Sequence, residues 1–188
     1  MVMHMLSFNI DDSLELRIMD SNDAEAAIME IEQSRDYLAR WLPWVELTHT
    51  ADDYRNFIRF TRDEFANESS YHFGIFDDGC FIGGFSINKF NRNDNKVELG
   101  YWLGKRHQKQ GIITRTVEAV TDFLFKKWDV HRIEIHVATL NEASKKVPER
   151  LGFEIDGVMR ESMRHNGKYF DMVIYSKLNP LHKSKMHR

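Results

Sequence analysis

Apolar and polar residues alternate in several short stretches of the chain, and this alternation predicts β-strands. The segments "LELRIMD" and "HRIEIHVA" place aliphatic residues at every second position, which is typical of strands with one buried face. In "KVELGYWL" the alternation puts Glu98, Gly100 and Trp102 on one face and the aliphatic residues with Tyr101 on the other. The Asp-Gly pair at 78–79 and the Asn-Gly pair at 166–167 each separate two further apolar runs. Such pairs favour the tight turns of β-hairpins.

Four other stretches carry apolar residues three or four positions apart, the spacing that places them on one face of a helix. In the third stretch, Ile113, Val117, Val120 and Leu124 form the apolar face. The four predicted helices are one capped by Ser21 or Asn22, one over residues 52–67, one opened by Gly111, and one between Asn141 and Gly152.

The order of the predicted elements indicates the fold class. It runs strand, two helices, three strands, helix, strand, helix, two strands, and the central strand–helix–strand crossover predicts one parallel pair. We therefore expect a mixed α/β (α+β) fold with a mostly antiparallel seven-stranded sheet and four flanking helices. No repeat, low-complexity tract or linker interrupts the 188 residues. A single domain over 1–188 is expected, with its core at about 12–179, a short N-terminal extension and a basic C-terminal tail.

Charge and composition exclude several classes of protein. The formal net charge of −3 provides no overall field that would attract DNA or RNA, so no nucleic-acid partner is expected. The N-terminus lacks a basic segment followed by a long apolar stretch, so we expect neither a signal peptide nor a membrane span. The histidines form no close cluster, and no metal site is expected. The single cysteine, Cys80, lies in an apolar run and is expected to be buried. A reducing cytoplasm fits this cysteine usage.

The junction at Gly111, in "RHQKQGIITRTV", has the features of an anion site. The start of a helix presents unpaired N–H groups and a partial positive charge, and phosphate binds there readily. A glycine has no Cβ to keep a ligand away. Gln108, Gln110 and Thr114 add side-chain donors, and Arg106 and Lys109 add charge. A flexible loop glycine with no ligand is the alternative interpretation.

A second polar stretch, "ATLNEASKKVPERLGF", follows the next strand. Taken alone, Asn141 reads as a helix cap and Ser144 as a surface serine. Together with the glutamine–glycine junction, in this order and spacing, the chain resembles the GNAT superfamily of acyl-CoA N-acyltransferases, and within it the RimJ/RimL-type branch. The resemblance covers nearly the whole chain. It is carried by "YLARWLPW", "VELGYWLGKRHQKQGIITRTV" and "NEASKKVPERLGFEIDGVMRESM".

The resemblance implies that acetyl-CoA is the co-substrate. In the family, a Q-x-x-G-x-G/A loop wraps its pyrophosphate, the two central parallel strands splay apart, and the pantetheine arm lies between them. The positions that match this cofactor site are Trp102, Leu103, Gln108, Lys109, Gln110, Gly111, Ile112, Ile113, Thr114, Asn141, Ser144 and Lys146. Two of them depart from the pattern. Ile113 stands where a small residue is usual, and Lys109 where many relatives have glycine.

The resemblance also implies the catalytic residues. Glu98 matches a glutamate that removes the amine proton through water, and Ser144 matches a serine beside the sulfur. A backbone N–H near Leu103 would hold the thioester oxygen. A salt-bridging glutamate on a half-exposed strand is the alternative for Glu98. Tyr101 is a rival acid on the other face of its strand.

The acceptor site is implied to lie between the first two helices and the last hairpin. Trp41, Trp44 and Tyr71 could line it, although aromatic residues there also serve as core or dimer contacts. The nearby acids Glu46, Asp52 and Asp53 would suit a cationic amine or simply cap a helix. We therefore expect an N-acetyltransferase, a homodimer, that acts on a protein N-terminus of the ribosomal-protein type. The alternatives are a small-molecule amine acetyltransferase and a non-catalytic acyl-CoA-binding module.

Overall fold

The computed structural model describes residues 7–185. Within this range the chain forms eight strands and four α-helices. The strands are β1 (Ser7–Asn9), β2 (Leu14–Ile18), β3 (Tyr71–Asp77), β4 (Cys80–Asn91), β5 (Lys96–Leu103), β6 (Arg132–Ala138), β7 (Glu154–His165) and β8 (Lys168–Leu178). The helices are α1 (Ala24–Leu38), α2 (Ala51–Ala66), α3 (Ile112–Lys127) and α4 (Glu142–Arg150).

The strands form one mixed sheet in the order β1-β2-β3-β4-β5-β6-β8-β7. The chain divides into two compact units, one made of residues up to Ser86 with Tyr101–Ile112, the other of Ile87–Gly100 with the residues from Ile113 onward. Strands β4 and β5 contribute to both. The mixed fold with a parallel pair and four helices is as predicted, whereas the strand count was wrong. The short strand β1, which pairs antiparallel with β2, makes eight instead of seven.

In the first unit, two helices bury apolar faces. The core cluster contains Ala27 and Ile31 of α1 together with Tyr54 and Ile58 of α2, all at most 2% exposed. Helix α2 begins with a capping box in which Thr50 accepts from the backbone N–H of Asp53. The segment before α1 is capped by Asp20, whose carboxylate accepts from the N–H of Asn22. The predicted caps Ser21 and Asn22 were therefore wrong by one or two positions.

In the second unit, the parallel pair is short. The register of β5 with β6 runs from Lys96↔Arg132 to Glu98↔Glu134, whereas β6 pairs antiparallel with β8 along its whole length. The predicted apolar face of α3 is confirmed by Val117, Val120 and Leu124, which are at most 3% exposed.

Both predicted hairpin turns are present. The central residues of the first turn have φ of 47° at Asp78 and 76° at Gly79, and those of the second have 48° at Asn166 and 70° at Gly167, as a type I′ turn requires. The prediction that Cys80 is buried was wrong. It is exposed, because it is the first residue after the turn and precedes the buried part of β4.

Candidate functional site

The loop between β5 and α3 turns sharply at two residues with a left-handed backbone. Gln108 is extended, with φ −74° and ψ 164°, and φ is then 64° at Lys109 and 74° at Gly111. Helix α3 begins directly afterwards at Ile112. A left-handed conformation costs a non-glycine residue roughly 1–2 kcal/mol, which gives a physical reason why glycine would suit position 109. Lys109 adopts this conformation without being a glycine.

Helix α1 holds the first half of this loop. The backbone N–H of Lys105 donates to Oγ of Ser34 at 2.9 Å, and the guanidinium of Arg106 donates to Oε2 of Glu30 at 2.6 Å. His107 lies 3.6 Å from the same carboxylate oxygen. Glu30 and Ser34 are four positions apart and so share one face of the helix. The conformation of the loop therefore depends on two polar residues of α1.

Glu30 is an unusual residue for this role because it is almost completely buried, at 1% exposed. Its Oε1 has no hydrogen-bond partner among residues 7–185. Burying a carboxylate is unfavourable unless it is paired, and Arg106 supplies the pairing on the other oxygen. The sequence analysis missed both Glu30 and Ser34. The available signal was two polar residues within the apolar stripe of a helix.

The predicted aromatic residues fall into two groups. Trp102 packs against Trp44, with ring centroids 5.7 Å apart, and against Phe81 at 5.8 Å. Trp41 is half-buried. Tyr71, however, is only 1% exposed and packs edge-on against Phe65. Tyr71 therefore packs as a core residue, the alternative given for these aromatic residues, and its place in an acceptor site stays a prediction.

Two of the predicted acids, Asp52 and Asp53, make local contacts at the start of the second helix. The carboxylate of Asp53 accepts from the backbone N–H groups of His49 and Thr50, and these hydrogen bonds lower the pKa of Asp53. Asp52 pairs with Arg55 at 2.7 Å. The interpretation of Asp53 as a helix cap is confirmed.

In the second unit, Glu98 lies on the half-buried face of β5 and its side chain is 21% exposed. Its Oε2 is 3.1 Å from Nζ of Lys89 and 3.6 Å from Nδ1 of His136. The other ring nitrogen of His136 lies 3.0 Å from Oε2 of Glu134. The polar face of β6 thus brings a histidine and a second glutamate next to Glu98. Sequence reasoning missed both, although Arg132, Glu134 and His136 alternate along the strand.

Glu134 faces Glu98 directly in the parallel register, and two like charges so placed repel each other. Arg132 offsets this repulsion, since its Nε donates to Oε1 of Glu134 at 2.7 Å. Burial acts to raise the pKa of Glu134, but the hydrogen bonds from Arg132 and His136 and the charges of Arg132 and Lys96 outweigh it and lower that pKa. Glu134 is therefore held as a carboxylate.

A side-chain hydrogen bond also stabilises the start of α4. The Oδ1 of Asn141 accepts from the backbone N–H of Ser144 at 3.2 Å, which confirms Asn141 as the N-cap. Ser144 is half-buried and Lys146 exposed, while Lys145 pairs with Glu142. The φ of 69° at Gly152 suits the residue that follows a helix.

Two structural features are absent from residues 7–185. No group of three or more His, Cys, Asp or Glu side chains in residues 7–185 could hold a metal ion. None of the helices described there is long and apolar enough to cross a membrane.

Comparison with known proteins gives consistent matches. A family model described as an acetyltransferase (GNAT) domain matches residues 13–154. YdaF of Bacillus subtilis (strain 168), provisionally named a ribosomal N-acetyltransferase, is 31% identical over 175 residues, or 93% of this chain and 96% of YdaF. The ribosomal-protein-serine acetyltransferase of Escherichia coli (strain K12) is 25% identical over 172 residues, or 92% of this chain and 96% of that protein.

A solved structure shows a similar fold at lower identity. It is RimL, a ribosomal L7/L12 alpha-N-protein acetyltransferase, in complex with coenzyme A. The TM-score is 0.87 at 23% identity, and the match covers 92% of this chain and 97% of that one.

Proposed function

The chain belongs to the GNAT family of acetyltransferases and is an N-acetyltransferase, and we propose that it transfers acetyl from acetyl-CoA to a primary amine by direct attack in a ternary complex. The observation that carries the proposal is the loop between β5 and α3. Two left-handed residues, Lys109 and Gly111, turn the backbone immediately before a helix N-terminus. Successive backbone N–H groups in such a turn form an anion-binding concavity, and the helix dipole adds to the attraction.

The cofactor contacts follow from this loop. Gln108, Gln110 and Thr114 would donate to the pyrophosphate beside the amides of Lys109, Gly111, Ile112 and Ile113. Trp102 and Leu103, at the end of β5, would contact the pantetheine arm through their backbone. Asn141 and Lys146 complete the proposed set of cofactor contacts. Ile113 is half-buried and would contribute its N–H group alone.

The reaction requires two proton transfers. An acceptor ammonium loses one proton through a water molecule to Glu98, and the neutral amine then attacks the thioester carbonyl carbon and forms the C–N bond. As the C–S bond breaks, one of the two protons on the attacking nitrogen passes through the hydroxyl of Ser144 to the leaving thiolate, and the other stays on the amide. The products are the amide, the free thiol of CoA and one proton released to solvent. A base and an acid so placed each contribute about 10²–10⁴-fold.

The proposed acceptor is the N-terminus of a protein of the ribosomal type. The names of YdaF and of the Escherichia coli serine acetyltransferase, which match nearly the full chain, support this class over a small amine. The family resemblance also supports a homodimer, which light scattering of the purified protein tests directly.

The test is release of free thiol from acetyl-CoA with a panel of acceptors. The panel contains peptides with N-terminal serine or alanine, the same peptides already N-acetylated, a polyamine and an amino sugar. We expect release with the free peptides only, and mass spectrometry should place one acetyl group on the terminal nitrogen. Release with only the polyamine or the amino sugar would show that the acceptor is a small amine and not a protein N-terminus. If acetyl-CoA raises the melting temperature but no acceptor gives release, the chain is a binding module and the proposed reaction is wrong.

A further inference from the structure

The side chain of His136 lies between two carboxylates and faces each with a different ring nitrogen. Its Nε2 is 3.0 Å from Oε2 of Glu134 on the same strand, and its Nδ1 is 3.6 Å from Oε2 of Glu98 on the neighbouring strand. The side chain is 19% exposed. This arrangement gives the imidazole a defined orientation next to the proposed base.

The contact with Glu134 determines which nitrogen carries the proton. A carboxylate only accepts hydrogen bonds, so neutral His136 donates from Nε2 and keeps its lone pair on Nδ1. Arg132 fixes the carboxylate in turn, since it donates to Glu134 and also pairs with Asp156. Nδ1 is therefore a proton acceptor directed at Glu98.

Carboxylates and cations both surround His136. Glu98 and Glu134 face it from β5 and β6. The cations of this face are bound to those carboxylates, with Arg132 and Lys96 at Glu134 and Lys89 at Glu98. On β8 the residue paired with His136 is Ile174, which carries no charge. An imidazolium formed by proton transfer would therefore lie between these two carboxylates.

We propose that His136 is a second proton acceptor of the transfer reaction and that Glu134 positions it. The inference rests on the proposed function. The acceptor ammonium gives its proton to Glu98, and Glu98 passes that proton to Nδ1 of His136, which becomes an imidazolium paired with Glu134. Glu98 is thereby restored as a carboxylate before the next amine binds, and the imidazolium loses its proton to solvent.

The observed distance is compatible with this transfer. The 3.6 Å between Nδ1 and Oε2 is too long for a hydrogen bond, but catalytic contacts are commonly loose in the absence of substrate. A shortening of about 0.6 Å, or one bridging water, brings the two atoms into hydrogen-bonding contact. Lys89 does not accept the proton in place of His136, because its side chain is 78% exposed and its ammonium group only donates hydrogen bonds.

The first test is kinetic and uses His136→Gln, His136→Ala and a matched control. His72→Gln is the control. The side chain of His72 is also 19% exposed and its Nε2 also lies 3.0 Å from a glutamate, Glu64, but His72 belongs to β3 and not to β6. We expect His136→Gln to lower kcat at least tenfold, to leave KM for acetyl-CoA within twofold, and to remove one ionisation from the acidic limb of the kcat profile. Added imidazole should restore part of the activity of His136→Ala, which a purely structural role would not allow. A wild-type kcat and pH profile in His136→Gln would overturn the proposal.

A second test does not depend on turnover. Nitrogen-15 NMR of histidine-labelled protein should show His136 with its proton on Nε2, and Glu134→Gln should shift that tautomer equilibrium. A proton on Nδ1 in the wild-type protein would overturn the proposal. If the wild-type protein releases no thiol with any acceptor, the proposed function itself fails. If it is active and His136→Gln is equally active, the role of His136 alone is wrong.

Discussion

Gly104 lies directly against the carboxylate of Glu30. A Cβ atom built on Gly104 would come within 2.8 Å of Cγ and 2.5 Å of Cδ of Glu30, and closer still to Oε1. The backbone N–H of Gly104 donates to the carbonyl of Ile82 at 2.9 Å, so this residue is anchored to β4. The absence of a side chain at position 104 is what allows a buried carboxylate to reach Arg106.

Gly104→Ala should therefore displace either Glu30 or the loop. Overpacking of this kind costs about 1–3 kcal/mol, and we expect a lower midpoint in urea unfolding together with weaker binding of CoA. Gly157→Ala is the control, because a Cβ at Gly157 meets no atom within 4 Å. Equal stability of the two variants would show that Glu30 moves aside without consequence.

Glu30→Gln removes the charge of the carboxylate and keeps the volume of the side chain. Breaking a buried pair costs about 3–5 kcal/mol, but the side chain of Arg106 is 58% exposed and can be rehydrated. We therefore expect a loss of about 1–3 kcal/mol. In kinetics, KM for acetyl-CoA should rise severalfold while kcat changes little, since the loop is displaced and the reacting groups are not.

Glu32→Gln is the matched control for that prediction. Glu32 is on the same helix and also pairs with an arginine, Arg35, but its side chain is 47% exposed. An exposed pair of this type contributes about 0–1 kcal/mol. If the two variants lose similar stability and bind CoA alike, Glu30 does not position the loop.

Gly111→Val should weaken CoA binding with little loss of fold. The φ of 74° at this position is strained for a β-branched residue, and the added side chain would obstruct the proposed phosphate contact. We expect the dissociation constant for CoA, measured by calorimetry, to rise at least tenfold. Lys109→Gly is the contrasting variant, because it relieves strain at a φ of 64° and should bind CoA at least as tightly. Unchanged CoA affinity in Gly111→Val would show that this loop does not bind the phosphate groups of CoA.

Sequence patterns predicted the features that depend on neighbouring residues. The Asp-Gly and Asn-Gly turns, the Asn141 cap and the glycine after α4 follow from local backbone preferences, and the structure confirms them. The exposure of Cys80 was missed because hydrophobic composition was given more weight than its position beside a turn. The short strand β1 was missed because three residues contain too little alternation to be recognised.

Long-range pairing explains what local patterns could not predict. Arg106 contacts a residue 76 positions away, and the sequence contains no sign of which buried acid it will meet. His136 reaches Glu98 only because β5 and β6 pair in a particular register. The burial of Tyr71 likewise depends on how α2 covers β3. The single domain, the cofactor contacts and the acceptor residues stay predictions.

Glu98→Gln should reduce turnover far more than binding. The substitution keeps the size of the side chain and removes its basicity, and a lost general base typically costs about 10²–10⁴-fold in rate. Lys89, the cation nearest to Glu98, is 78% exposed, so we expect a stability change below about 1 kcal/mol. Measurements of kcat and of the CoA dissociation constant from pH 6 to 9 test whether turnover falls more than binding. Glu118→Gln, at an exposed position of α3, is the control, and equal turnover in both variants across pH would exclude Glu98 from the mechanism.

The stability of the fold should depend on His72 in mildly acidic solution. Burial lowers the pKa of His72 below its ordinary value of 6.5 and outweighs the attraction of Glu64, which lies 3.0 Å away. Between the folded-state pKa and 6.5 the unfolded chain therefore binds more protons than the folded protein, so stability falls as the pH falls through this window. His72→Gln should flatten the pH dependence of the urea midpoint between pH 7.5 and about 5.5, whereas His49→Gln, at an exposed position, should leave it unchanged. A dependence as steep in His72→Gln as in the wild-type protein would assign the acid sensitivity to other groups.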